Sequence, residues 1–182
     1  MGTLELKFTV TVKDFREATY YGLFMQKRNF FRAAVVVIAA CFIYVVLSIN
    51  KVMEMEPIFF FLAGGYLVWI LVLLAGAERQ IRTYVKSPDS LLGAEYTARF
   101  ASRLVSFEIP SRKFKVSGNL SDLPAAFELS NIFLVYANRE QTFIIPTRCM
   151  TKDQIKELRA LFAHGIGDRF YTMFGGKNKN NR

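Results

Sequence analysis

Leu4, Leu6, Phe8, Val10 and Val12 alternate with Glu5, Lys7, Thr9 and Thr11, the two-residue period of a strand with one buried face. A lone strand is not stable, so this segment needs a sheet supplied by the rest of the chain or by a partner. The period then changes. Phe15, Ala18, Gly22 and Met25 recur at helical spacing, and Asp14 stands where it can cap a helix over residues 14–28. Residues 33–49 and 57–77 follow as two apolar runs without a single Asp, Glu, Lys, Arg or His, separated by residues 50–56. About 20 uncharged apolar residues suffice for a helix to cross a bilayer core. Two such runs joined by a short polar turn predict a helical hairpin.

Beyond the second run, residues 78–86 extend the helix with basic side chains, and Ser87-Pro88-Asp89-Ser90 and Gly93 mark a break. Alternation returns at Tyr96–Phe100 and Val105–Ile109. It continues over Arg112–Val116, closed by a turn at Ser117-Gly118-Asn119. Residues 125–129, 131–136 and 141–145 supply further short strands, the last two as a hairpin turning at Asn138 and Arg139, and Pro146 stops the sheet. Thr151 with Gln154 forms a capping box for a helix whose stripe is Ile155, Leu158, Leu161 and Phe162, ended by Gly165 and Gly167. About six short strands and one helix predict a small curved sheet or barrel with the helix closing its open end. The expected fold class is a membrane α-helical hairpin plus an α+β domain.

Charge sets the orientation. Lys27, Arg28 and Arg32 precede the first run, and Arg79, Arg82 and Lys86 follow the second. The turn between the runs carries Lys51 against Glu54 and Glu56. Basic flanks are retained in the cytoplasm, so both termini are expected there. The competing reading, two core helices of a soluble protein, conflicts with runs that are apolar on every face. The N-terminus does not read as a cleavable signal, because its apolar run starts only after residue 32.

Composition adds less. Of 182 residues, 52% are hydrophobic, and the formal net charge is +9. Removing the runs leaves about 140 residues, one small domain and an arm. Cys41 and Cys149 fall in different environments and are expected to be free thiols, Cys149 as a packed small residue. Basic residues after the hairpin are mixed with acidic ones, and the aromatic residues fall at core-like spacing, which argues against nucleic acid.

Arg99, Arg103, Arg112, Lys113 and Lys115 are the candidate binding residues, a basic strand face that could touch anionic headgroups or a partner. An ordinary solvated edge strand is the plainer reading. Pro146 and Arg148 mark the junction from sheet to last helix, where Arg148 is expected to hold the helix start through a carboxylate or backbone carbonyl. His164, in the last turn of that helix, suits its dipole. Gly64 and Gly65 permit close helix contact, either within the hairpin or in a homodimer. No motif for catalysis, metal or cofactor is present in the sequence, so a non-enzymatic role is expected.

The stretch Asn119–Phe162 contains Leu120, Leu123, Glu128, the strand Ile132-Phe133-Leu134-Val135-Tyr136, and then Phe143-Ile144-Ile145-Pro146-Thr147-Arg148 leading into the helix. This arrangement resembles the YcxB-like family of small bacterial two-span membrane proteins. The family often has a Trp where this chain has Leu120 or Leu123. The resemblance implies a cytoplasmic domain of pleckstrin-homology-like (PH-like) fold at the bacterial inner membrane, and it brings no catalytic residues. The expected organisation is an N-terminal strand and amphipathic helix (1–28), spans at 29–50 and 57–77, and a loop at 51–56. A basic linker (78–93), the PH-like domain (94–167) and a flexible basic tail (168–182) complete it. The expected function is an interaction or regulatory module for a protein partner. The alternatives are an immunity protein against a membrane-acting toxin and an anionic-lipid sensor.

Overall fold

A computed structural model of the chain describes residues 3–26, 28–50, 57–101, 103–138 and 141–172. The loop at 51–56, Lys27, Arg139 and the tail from residue 173 lie outside the described residues. The chain divides into two units: Met1–Ala18 with Ser87–Arg182, and Thr19–Lys86.

The second unit holds the end of helix α1 (Val12–Gln26), α2 (Arg28–Ile49) and α3 (Pro57–Lys86). Two stretches, Phe31–Ile49 and Phe60–Lys86, are long and apolar enough to cross a membrane, with mean hydropathy 2.5 and 2.2. Only 11% and 6% of these stretches are buried, whereas a core helix of a soluble protein would be mostly covered. Val35, Val36, Phe42, Ile43, Phe61, Leu67, Val68 and Trp69 are all exposed. Helix α3 runs without a break from its apolar part into the basic segment that ends at Lys86, as the sequence leads one to expect. Tyr20 Oη donates to Glu78 Oε1 at 2.8 Å, linking α1 to this extension.

The first unit is built from two sheets. One has the order β1-β2-β3-β4, from Leu4–Thr9, Glu95–Phe100, Leu104–Ile109 and Phe114–Asn119. The N-terminal strand is a full member of it: β1 pairs antiparallel with β2 over six positions, Leu4 opposite Phe100 and Thr9 opposite Glu95. The whole helical hairpin is inserted between these two neighbours. The second sheet has the order β7-β6-β5-β8, with β5 at Ala125–Glu128, β6 at Ile132–Tyr136, β7 at Thr142–Pro146 and β8 at Phe170–Thr172. Helix α4 (Lys152–Gly165) begins with the expected capping box, Thr151 and Gln154 each bonding the other's backbone N–H.

The inward residues form one core. Leu4, Leu6 and Phe8 of β1 join Ala98, Phe100, Val105, Phe107 and Ile109 of the same sheet, Ala126, Phe133, Val135 and Ile145 of the other, and Leu158 and Phe162 of α4. Phe100 packs edge-on to both Phe107 and Phe162, with ring centroids 5.8 and 5.6 Å apart. At the end of α4 the backbone comes so close to the core that a Cβ on Gly165 would stand 2.2 Å from Leu120 Cδ2.

Three local readings are corrected. Ser117-Gly118-Asn119 is not a turn: these residues continue β4 and pair with Ser106, Val105 and Leu104. The reversal lies earlier, at Pro110–Arg112, where proline fixes φ and Lys113 adopts the left-handed conformation at φ 50°. Strand β1 stops at Thr9 because Asp14 accepts from the Thr11 N–H at 2.7 Å and so starts α1 at Val12. Phe170–Thr172, which the pattern places in a flexible tail, is a strand. Three residues are too few to show a period, and only pairing with β5 defines them.

Candidate functional site

The five candidate basic residues come from one sheet but do not form one surface. Arg99 projects from β2 toward β1, its Nε 3.2 Å from Glu5 Oε2 and its Nη1 4.0 Å from Glu108 Oε2. Lys115 stands opposite Glu108 in the β3–β4 register. This face therefore alternates in sign, and such exposed pairs contribute about 0–1 kcal/mol each. Arg103 lies in the reversal between β2 and β3, where its carbonyl accepts from the Leu120 N–H at 2.8 Å. Arg112 and Lys113 lie in the next reversal, at the other end of β3, about 20 Å away for a six-residue strand. Arg112 Nη2 donates to the Pro88 carbonyl at 2.8 Å. Of the five, only Arg112 and Lys113 share a turn. That turn lies at the sheet end where Thr9 pairs with Glu95, the end from which the chain leaves for the hairpin and to which it returns.

Arg148 does not reach the start of the helix that follows it. It follows Pro146, the last residue of β7, and turns instead to the N-terminal segment. There Nη1 donates to Asp14 Oδ1 and Nη2 to the Thr9 carbonyl, the latter at 2.8 Å. Asp14 is 3% exposed. Burial pushes its carboxyl pKa up, but bonds from Arg148, the Thr11 N–H and the Thr11 hydroxyl, with the Arg148 charge, outweigh this and hold it below 3.8. The same carboxylate raises the pKa of Arg148. A turn further along α1, Glu17 accepts from the Asn131 backbone N–H at 3.2 Å and from its side-chain amide at 3.0 Å. The β5–β6 turn and the β7–α4 junction thus both hold the first turns of α1.

Sequence reasoning missed a second buried carboxylate. Glu128 ends β5 on the same side as Ala126 and is 4% exposed. Arg159, one turn beyond Ile155 on α4, donates through Nε to Oε1 at 2.7 Å and to Oε2 at 2.9 Å, and through Nη2 to Oε1. This fork, which raises the pKa of Arg159, pins α4 beside β5. Strand parity was the available signal, since it places Glu128 indoors with Ala126.

Strand β8 lies along β5 and reaches α4 through one ring contact. Phe170 pairs with Ala126 and lies 5.6 Å, centroid to centroid, from Phe162. On the opposite side of β5, Tyr171 stacks on Phe127 at 4.9 Å, and Phe127 meets Tyr136 edge-on at 5.6 Å. Burial raises the pKa of the Tyr136 hydroxyl. Ahead of the strand, Gly167 takes φ 56° to turn the chain out of α4. Arg169 then clasps two carbonyls of the β4–β5 connection, Leu123 at 2.8 Å and Ser121 at 2.6 Å.

The remaining candidates are simpler. His164 is exposed, with Nδ1 2.9 Å from the Ala160 carbonyl one turn back. Neither cysteine forms a disulfide, and Cys149 is exposed rather than packed. A Cβ on Gly64 or Gly65 would meet nothing within 4 Å. Among the described residues no group of three or more His, Cys, Asp or Glu could hold a metal ion. No family model, no curated protein and no solved structure matches this chain.

Proposed function

We propose that this chain is a membrane-anchored, non-enzymatic interaction or regulatory protein of YcxB-like type, presenting a PH-like domain on the cytoplasmic side of a bacterial inner membrane. One observation carries the reading. Strand β1 precedes the apolar hairpin and β2 follows it, yet the two are hydrogen-bonded neighbours over six positions. If α2 and α3 each cross a bilayer, that pairing requires both ends of the hairpin to lie on one side. The basic flanks favour the cytoplasm as that side. Four antiparallel strands, a three-stranded meander and a closing helix support the PH-like reading; β8 is an addition to it. The two carboxylates buried among the described residues are each committed to an arginine, which favours structural cohesion over acid–base chemistry at these groups.

Photocrosslinking tests the proposal. Crosslinkers placed at exposed positions of the first unit, such as Ser111 and Lys156, in full-length protein in native membranes should each capture a discrete protein partner. Recovery of the same background as a hairpin-only control from every position would refute the interaction reading.

A further inference from the structure

We propose that the outer edge of β5 is a peptide-binding site and that β8 is a displaceable ligand held there in cis. The partner it fits is an extended segment carrying an arginine followed by two aromatic residues. This deepens the interaction-module reading and rests on it.

The occupant itself shows the chemistry that fits. Arg169 supplies two bonds to backbone carbonyls, which a segment of any origin could make. Phe170 pairs with Ala126 of β5 and packs its ring against Phe162 of α4. Tyr171 stacks on Phe127 across the other face of β5 while remaining half-exposed. Successive side chains of a strand point to opposite faces, so two adjacent aromatics address both sides of β5 at once. The backbone gives the affinity and the two ring positions the selectivity, as in other cases of strand addition.

Two features distinguish β8 from the other strands. Its pairing with β5 is the parallel one in a domain of otherwise antiparallel ladders, and parallel pairing is slightly weaker per residue. Among the described residues it is also the outermost strand of its sheet, hydrogen-bonded to β5 alone. A strand hydrogen-bonded on one side only opens locally at lower free energy than a central one. The receiving edge, in contrast, is rigid: Glu128 is forked to Arg159, and Ala126 and Phe133 are fully buried.

Two measurements on the full membrane protein decide the matter. In the intact chain, amides of Phe170–Thr172 should exchange with deuterium at least 100-fold faster than those of Ile132–Val135. Equal protection of the two strands would overturn the proposal. In a chain truncated after Ile166, a labelled peptide of residues 167–172 should bind saturably, and at least tenfold more weakly to the intact chain. Replacing Phe170 and Tyr171 of the peptide by Ala should abolish binding. A truncated chain that keeps its sheet signal but does not take up the peptide would overturn the proposal. If truncation unfolds the domain, β8 is integral to the fold and the proposal fails. Its failure would leave crosslinking from Ser111 and Lys156 unaffected, so the two readings fail separately.

Discussion

Replacing Arg148 by Ala should loosen the N-terminal strand from the domain while leaving the rest of the core in place. The structure sets the magnitude. Breaking a buried ion pair from one side costs about 3–5 kcal/mol, because the remaining charge is stranded. Asp14 is almost fully buried, but it keeps the Thr11 N–H and hydroxyl as donors at 2.7 and 2.8 Å, and Arg148 is itself half-exposed. Both facts reduce the cost, to about 2–3 kcal/mol, or about 30- to 150-fold in local opening. Hydrogen exchange of Leu6–Thr9 in the full-length protein in detergent micelles reads this directly. Asp14→Asn should have a similar but smaller effect, and the double variant should fall well short of the sum. The pH dependence has a definite sign. The folded pKa of Asp14 lies below 3.8, so the stabilisation is complete above pH 3.8 and is lost as pH falls from there through the folded value. The gap between wild type and Arg148→Ala should therefore close in strong acid. Exchange within threefold of wild type at pH 7, or fully additive variants, would show that Arg148 does not bind the N-terminal segment as described.

Further predictions follow from other parts of the molecule. Arg159→Ala should destabilise the domain by about 2–4 kcal/mol in thermal unfolding, whereas a paired Glu128→Met, Arg159→Leu exchange should be close to neutral, since apolar residues of similar size can replace a buried pair. Gly165→Ala should cost about 1–3 kcal/mol, because its Cβ would collide with the fully buried Leu120. Lys113→Gly should leave stability unchanged or raise it by about 0.5–1 kcal/mol, relieving a left-handed conformation that disfavours a side chain. Topology reporters fused at residue 53 and at the C-terminus should report opposite sides of the membrane; agreement between them would remove the hairpin.

The site was only partly legible in the sequence. Period-two alternation located most strands, because a one-sided core forces it, and strand parity carried an unread signal that Glu128 faces inward with Ala126. It could not show that Arg159, thirty-one positions away, would meet that carboxylate. Nor could it group the basic residues. Arg103 and Arg112 are close in sequence, but the strand between them carries them to opposite ends of the sheet. For Arg148, a nearby partner is the natural guess from sequence, and the actual one is 134 positions distant.

By itself the sequence determined the elements whose cause is local. Two runs without a charge must avoid water along their whole length. Alternating strands must bury one face, and Thr151 with Gln154 must start a helix. Tertiary structure alone decided what depends on long-range pairing: that β1 joins β2 across the entire hairpin, that Arg148 and Glu17 hold the first turns of α1, and that three residues beyond the last helix become a strand. Local pattern records how much of each side chain must leave water. It does not record which hydrogen-bonding edge or which buried charge will be waiting when the chain returns.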